Sequence, residues 1–226
     1  MKHLSYEQLA SIPLFLGIDG LTLAGICEAA GQAVVTVRRG TAAIEAGEQC
    51  RSLFFLLEGE LEAATTFCCG RFALRETVKA PAVVEPQCLF GLHTTYTRTY
   101  TAAAGNCVCL RLPKTLVVNR MMVNEVFRFN FVNMLSSRAQ ETENRMRGSN
   151  ASTPEGRMTA LFARQMLRTV GAKTLKCRMV DLAEVIGETR LNVSRMLHAL
   201  ESKGLLAVVR GGMVIPAFER LMADVM

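Results

Sequence analysis

From Leu182 to Leu200 the apolar residues fall into two helical stripes. Leu182, Val185 and Ile186 share one face, and Val193, Met196, Leu197 and Leu200 repeat at i, i+3, i+4 and i+7. The spacing predicts two amphipathic helices packed on each other. Between them Gly187 offers the backbone freedom of a three- to four-residue turn, Ala183 is small enough for a close crossing, and Thr189 suits the N-cap of the second helix. After Gly204, residues 205–209 and 213–215 read as strands around an Arg210-Gly211-Gly212 turn, closed by Pro216. That hairpin has the form of a wing.

Upstream the texture differs. Residues 3–31 show partial helical periodicity broken by Pro13, Gly17 and Gly20. From Val34 to about Leu112, short apolar runs at 34–37, 53–57, 61–66, 82–84, 100–104 and 108–112 alternate with turns marked by Gly40, Gly47, Gly59 and Gly70. Regular short strands predict a sandwich or barrel. Pro113 then opens a stretch without Gly or Pro to about Arg147, with one apolar line through Val123, Phe127, Phe131 and Met134 and a second through Met122, Val126 and Phe129. A single long helix with two apolar lines needs two partners. One side is expected on the β-domain and the other on a copy of itself, giving a homodimer. A hinge is expected at Gly148-Ser149-Asn150-Ala151. Ser152-Thr153-Pro154-Glu155 reads as a capping box, with Ser152 the N-cap of a helix carrying Met158, Leu161, Phe162, Met166 and Val170 on one side.

With its apolar stripe turned inward, the second helix projects Arg190, Leu191, Ser194, Arg195 and His198 together from the opposite face. Arginine bonds guanine O6 and N7 as a bidentate fork, and hydroxyls and helix N-terminal amides suit phosphate oxygens. Arg190 and Arg195 are therefore candidates for base or phosphate reading, Thr189 and Ser194 for positioning contacts, and Arg210 at the hairpin tip for a neighbouring phosphate.

The chain has 226 residues, 50% hydrophobic and 20% charged, enough for two domains with their own cores. Its formal charge of +6 is uneven: 11 basic and 7 acidic residues follow Gly148, against 15 and 13 before it. The excess favours a polyanion partner for the C-terminal part. No apolar run approaches the roughly 18 residues that span a bilayer, and Glu7, Gln8 and Asp19 interrupt any signal-like N-terminus, so a cytoplasmic protein without membrane contact is expected. Eight cysteines at 27, 50, 68, 69, 88, 107, 109 and 177 form no compact disulfide framework, and free thiols are expected.

The order of short helices, β-roll, long helix and winged helix-turn-helix resembles the CRP/FNR family of bacterial transcription regulators across essentially the whole chain. DLAEVIGETRLNVSRMLHALESKGLL is similar to that family's reader motif, Phe54-Phe55-Leu56-Leu57-Glu58-Gly59-Glu60-Leu61 to its strand–Gly–strand signature, and Arg39-Gly40 through Gly47-Glu48 to the hairpin before it. The resemblance implies an α+β chain: an N-terminal double-stranded β-helix, a jelly-roll-like, cyclic-nucleotide-binding-like sensor over 1–112; a dimerisation helix over 113–147; and a winged helix-turn-helix over 148–226. It implies a homodimeric regulator of transcription that binds double-stranded DNA at a near-palindromic operator, and contact with RNA polymerase if it activates. It places Thr189, Arg190, Ser194 and Arg195 at DNA-contact positions, whereas Leu191 stands where many members carry a glutamate that reads cytosine. Apolar Leu191 suits a thymine methyl or its own protein instead.

The resemblance leaves the effector and any cofactor unnamed. Cyclic-nucleotide-binding relatives carry Phe-Gly-Glu for the ribose and Arg-Ser for the cyclic phosphate. Here Leu89-Phe90-Gly91-Leu92-His93 puts Leu92 at the glutamate position, and Arg98-Thr99 is the candidate phosphate pair. Iron–sulfur sensing needs about four clustered thiolates, yet only Cys27 and Cys50 precede residue 68. Cys68 and Cys69 are expected on opposite faces of a strand and Cys107 and Cys109 on one face, as buried small hydrophobes or a two-thiol redox site. His93 is a candidate haem ligand, and the spacing of His3, His93 and His198 gives no metal site.

No P-loop, GxSxG, HExxH or dinucleotide fingerprint occurs, so no enzyme is expected. The rival reading is a ligand-sensing β-roll that signals to protein partners and has only weak, sequence-blind affinity for DNA.

Overall fold

The computed structural model describes residues 4–147 and 152–225. The expected hinge at 148–151 and His3 lie outside the described residues. The chain forms two compact units, Met1–Ala63 with Val78–Ala139, and Ala64–Thr77 with Gln140–Met226. The architecture is α+β, with an N-terminal β-roll, a long helix and a winged helix-turn-helix.

The first unit opens with helices α1 (Tyr6–Ala10) and α2 (Gly20–Ala30), separated by a 3-10 turn at Pro13–Phe15. Ser5 and Gln8 cap α1 reciprocally, and the Asp19 carboxylate accepts from Thr22 N at the start of α2. The strands follow: β1 (Val34–Val37), β2 (Ala42–Ile44), β3 (Ser52–Glu58), β4 (Glu60–Phe67), β5 (Phe72–Lys79), β6 (Ala82–Val84), β7 (Thr99–Ala102) and β8 (Cys107–Pro113), of which the end of β4 and most of β5 belong to the second unit. One antiparallel sheet has the order β1-β8-β3-β6. Its middle strands are apolar on both faces, with Leu53 to Leu57 all buried. A second layer runs β4-β7-β2. Strands β2 and β5 were not among the expected ones. Three residues are too few to show a period, and Arg75, Glu76 and Lys79 hide the alternation of β5, whose Phe72, Leu74 and Glu76 all point inward.

The single helix expected over 113–147 is broken. Helix α3 (Lys114–Leu116) leads into a wide π turn at Val117–Met121, in which Met122 N reaches Val117 O at 2.8 Å, and the long helix α4 covers Glu125–Arg147. Asn124 ends the interruption by capping α4, its side chain accepting from Phe127 N at 3.0 Å. The wide turn sinks Val117 and Met121 together and leaves Val123 exposed. Along α4, Phe127 and Phe131 bury themselves against Phe15 and Phe90, with ring centroids 5.5 and 6.0 Å apart. Phe129 and Val132 stay 66% and 55% exposed.

The second unit contains α5 (Pro154–Gln165), β9 (Lys173–Lys176), α6 (Met179–Ile186), α7 (Arg190–Ser202), β10 (Ala207–Val209), β11 (Gly212–Ile215) and α8 (Phe218–Val225). The cap of α5 is Thr153, whose hydroxyl accepts from Gly156 N at 3.1 Å, and not Ser152. Pro154 decides this: its fixed φ and missing N–H suit the first helical position, so the cap immediately precedes it. Met158 and Phe162 are fully buried on α5, but the helix ends at Gln165 and Val170 lies exposed beyond it. Strand β9 was not foreseen, since Lys173-Thr174-Leu175-Lys176 has one apolar side chain. It pairs with β11 on one edge and with Ala73–Glu76 of β5 on the other. Cys68 and Cys69 do not extend a strand. Both adopt left-handed backbone at the turn before β5, with φ of 50° and 55°. Phe72, Leu74, Met158, Phe162, Leu175, Leu182, Leu197, Phe218 and Leu221 share one core.

Candidate nucleic-acid interface

Helix α6 closes on Gly187 in the left-handed region at φ 69°, with its N–H returned to Ala183 O and Glu184 O. Thr189 then caps α7, accepting from Asn192 N at 3.2 Å. Sequence reasoning missed the residues that hold this turn. Arg157 of α5 donates from Nε to Ile186 O at 2.8 Å, satisfying a carbonyl at the end of α6. Its Nη2 meets the Glu188 carboxylate at 2.6 Å, and Glu188 also accepts from Asn192 Nδ2 at 3.1 Å. Partners 31 residues apart leave no local pattern to read.

Val193, Met196, Leu197 and Leu200 are buried, as their spacing predicts. This fixes the rotation of α7 and turns the candidate readers outward. Thr189, Arg190, Arg195 and His198 are exposed, Ser194 is half-buried, and Leu191 is 59% exposed. Leu191 therefore does not pack into its own subunit's core. His198 Nδ1 lies 3.2 Å from Glu201 Oε2, while Glu201 Oε1 accepts from Val208 N at 2.8 Å and ties the end of α7 to the wing. That amide, and then the His198 ring, hold the Glu201 carboxyl below the usual carboxylate range.

Strands β10 and β11 form the wing with Val209 opposite Gly212, so the tip is the two-residue turn Arg210-Gly211 and Gly212 belongs to the strand. The tight fit explains the glycine: a Cβ on Gly212 would run into the backbone carbonyl oxygen of Leu175 in β9. Arg210 is exposed at the tip. The turn contributes it from the wing, while the other six candidates come from α7 and its cap. A shallow concavity nearby is lined by Arg71, Lys176, Arg178, Asp181 and Gly211. Two of its cations are already engaged, Arg178 by Asp181 at 2.6 and 2.8 Å and Arg71 by Glu184 at 2.7 Å.

In the β-roll, Leu92 and His93 lie on an exposed loop, Leu92 at 97% exposure. Arg98 is held against Glu85 and Thr97, and Thr99 Oγ1 accepts from Ala46 N at 3.1 Å. Cys107 and Cys109 are buried in β8. Among the described residues no three His, Cys, Asp or Glu side chains are placed to hold a metal, and no helix is long and apolar enough to cross a membrane.

Residues 34–124 match the family described as cyclic nucleotide-binding domain, and residues 156–223 match the Crp-like helix-turn-helix domain. Together they span both the roll and the reader. The chain belongs to the CRP/FNR type of transcription regulator. For a CRP/FNR-type regulator the helix-turn-helix implies DNA binding and dimer formation. Among solved structures the fold is shared by the catabolite activator protein of Thermus thermophilus, at 18% identity and TM-score 0.51, over 95% of this chain and 100% of that one. It is shared too by a protein of Eubacterium rectale described as a regulator of the CRP/FNR family, at 16% identity and TM-score 0.52, over 94% and 97%. No curated protein matches the chain.

Proposed function

We propose that this regulator acts in the cytoplasm as a homodimer and reads a near-palindromic operator through the outer face of α7. The observation that carries the reading is the rotation of that helix. Its four apolar residues are sunk, so Arg190, Leu191, Ser194, Arg195 and His198 face outward together behind a hydroxyl-capped N-terminus. Arg190 and Arg195 take base edges or phosphates, Thr189 and Ser194 position the backbone, and Arg210 reaches a flanking phosphate. Leu191 offers an apolar contact for a thymine methyl, so the operator differs from those read by relatives with glutamate there.

The exposed line Val126, Phe129, Val132 on α4 supports dimerisation through that helix, since these residues recur every third position on one side and leave the Phe127 and Phe131 side to the roll. The functional division is a sensor over 1–112, a dimerisation segment over 113–147 whose long helix is α4, and a reader over 148–226. An effector in the roll changes how the α4 pair packs and so the spacing of the two readers, which must match half-sites about 34 Å apart. In an activator, RNA polymerase is the further partner. No catalytic step is part of this reading.

Selection of bound sequences from random duplex DNA tests it. The expected product is an inverted repeat, with Arg190→Ala and Arg195→Ala each weakening that site by about 1–3 kcal/mol while changing preference at one position. Recovery of no motif, or an unchanged motif in both variants, refutes the assignment.

A further inference from the structure

Asn192 is the third residue of α7 and is exposed. It follows Leu191 and precedes Arg195 by three positions, so on the helix surface it neighbours the arginine. Its side chain is not free to turn. Nδ2 donates to Glu188 Oε2 at 3.1 Å, and Glu188, whose side chain is 18% exposed, is itself held through Oε1 by Arg157 Nη2 at 2.6 Å. Arg157 is fixed at its other two nitrogens, donating from Nε to Ile186 O and from Nη1 to Ser152 O, each at 2.8 Å. A relay thus runs from α5 through the turn to the reading helix. Its chemistry decides which way round the carboxamide stands. A carboxylate only accepts, so the group facing Glu188 is the amide nitrogen and not the oxygen. One N–H is spent there, and the oxygen and the second N–H remain. Among the described residues neither has a partner in the chain.

Given the DNA-reading assignment of α7, on which this rests, we propose that Asn192 is a specificity-determining residue, preset by Glu188 and Arg157 to select an adenine in each half-site. One acceptor beside one donor on the amide is the complement of adenine N6–H and N7 in the major groove, and the first turn of a reading helix is where base edges are met. Leu191 offers only an apolar contact, so polar reading beside it falls to Asn192. Glu188 and Arg157 act through Asn192 and are positioning residues. Holding the amide in its reading orientation before DNA arrives removes a rotor that binding would otherwise have to freeze.

The test is selection from random duplex DNA with the wild type, Asn192→Ala and Glu188→Gln. The wild type is expected to yield an inverted repeat with an adenine in each half that Asn192→Ala no longer requires, the variant binding the wild-type site about 5- to 150-fold more weakly. Glu188→Gln presents an amide, which either end of the Asn192 carboxamide can face, so the repeat should persist with that adenine alone relaxed. Replacing the adenine by its analogue lacking N7 should weaken wild-type binding and leave Asn192→Ala unmoved. No motif from the wild type refutes the DNA-reading assignment and this inference with it. A repeat whose every position survives Asn192→Ala, with affinity unchanged or lowered uniformly as for a phosphate contact, overturns the inference and leaves the reading standing. So does a preference lost at a base other than adenine. An adenine preference as sharp in Glu188→Gln as in the wild type overturns the presetting. Should Asn192→Ala fail to fold, the analogue decides on the wild type, and undiminished binding to it overturns the proposal.

Discussion

Lys173 Nζ lies 2.9 Å from Glu76 Oε1, with 4% and 3% of the two side chains exposed. The residues face each other in the register of β9 on β5. Each charge has a second partner: Glu76 Oε2 accepts from Leu167 N at 2.8 Å, and Lys173 Nζ donates to Val170 O at 2.8 Å. Strand β9 is thus joined to β5 by backbone pairing and by an ion pair sealed from water, where breaking one half strands the other. Lys173→Met should destabilise the protein by about 3–5 kcal/mol, and adding Glu76→Leu should recover much of that, because an apolar pair of similar volume removes both desolvation costs. Denaturant unfolding of the single and double variants checks this; additive losses would show that the two charges do not meet.

This pairing also marks where the sequence stopped being readable. The stripes of α6 and α7, the Thr189 cap and the roll strands at 34–37, 53–57 and 108–112 were legible because each rests on a local period or one neighbouring residue. Strand β5 was not, because its inward Glu76 reads as a surface position until Lys173, 97 residues on, is placed opposite it. The break before α4 left a fainter mark. Asn124 followed by Glu125 is a capping signal, but it sits inside a stretch without Gly or Pro and with apolar spacing on both sides. On α7 the outward residues were readable from the inward ones, whereas Arg157 and Glu188, which fix the turn, come from separate segments. In the roll, the Arg98-Thr99 pair was visible, and the buried Glu85 carboxylate 3.8 Å from Arg98 was not.

Gly212 is required by distance and not by backbone conformation. A methyl group there runs into the Leu175 carbonyl oxygen where β11 pairs with β9, and backbone cannot rotate aside as a side chain does. Gly212→Ala should cost about 3 kcal/mol. Gly211→Ala, at φ 77° but with open space around it, should cost less, since only backbone strain opposes it. Melting curves of the two variants check the ranking, and a reversed order would contradict the packing of β11 on β9.

The Glu201 carboxylate gives the reader a pH dependence of known sign. Its folded-state pKa is depressed by the Val208 amide and then by His198, so it contributes stability above the unfolded value of about 4.3. That contribution is lost as pH falls through the lower folded value. Glu201→Gln keeps an oxygen for Val208 N but carries no charge. The stability difference between wild type and variant should therefore be present above about pH 4.3 and shrink below it. A difference that widens on acidification would assign the depression to the wrong group.

Thiol chemistry separates the cysteines by their surroundings. Burial pushes Cys88 and Cys109 up to about 12 and Cys177 up to about 11, with Glu85 adding to the rise at Cys88, Cys107 at Cys109 and Asp181 at Cys177. The nucleophile in alkylation is the thiolate, so these three should resist iodoacetamide near neutral pH while the fold holds. Cys69 is exposed at its turn and should be modified first. Peptide mapping of a brief labelling time course distinguishes them, and in denaturant all should react alike. The result bears on sensing. A two-thiol switch at Cys107 and Cys109 would need a thiolate that burial of Cys109 withholds, so a redox signal entering through the roll should leave both reduced under mild oxidant while Cys69 reacts. Rapid native labelling of Cys109 would show that β8 opens, and would return that pair to the candidate sensors.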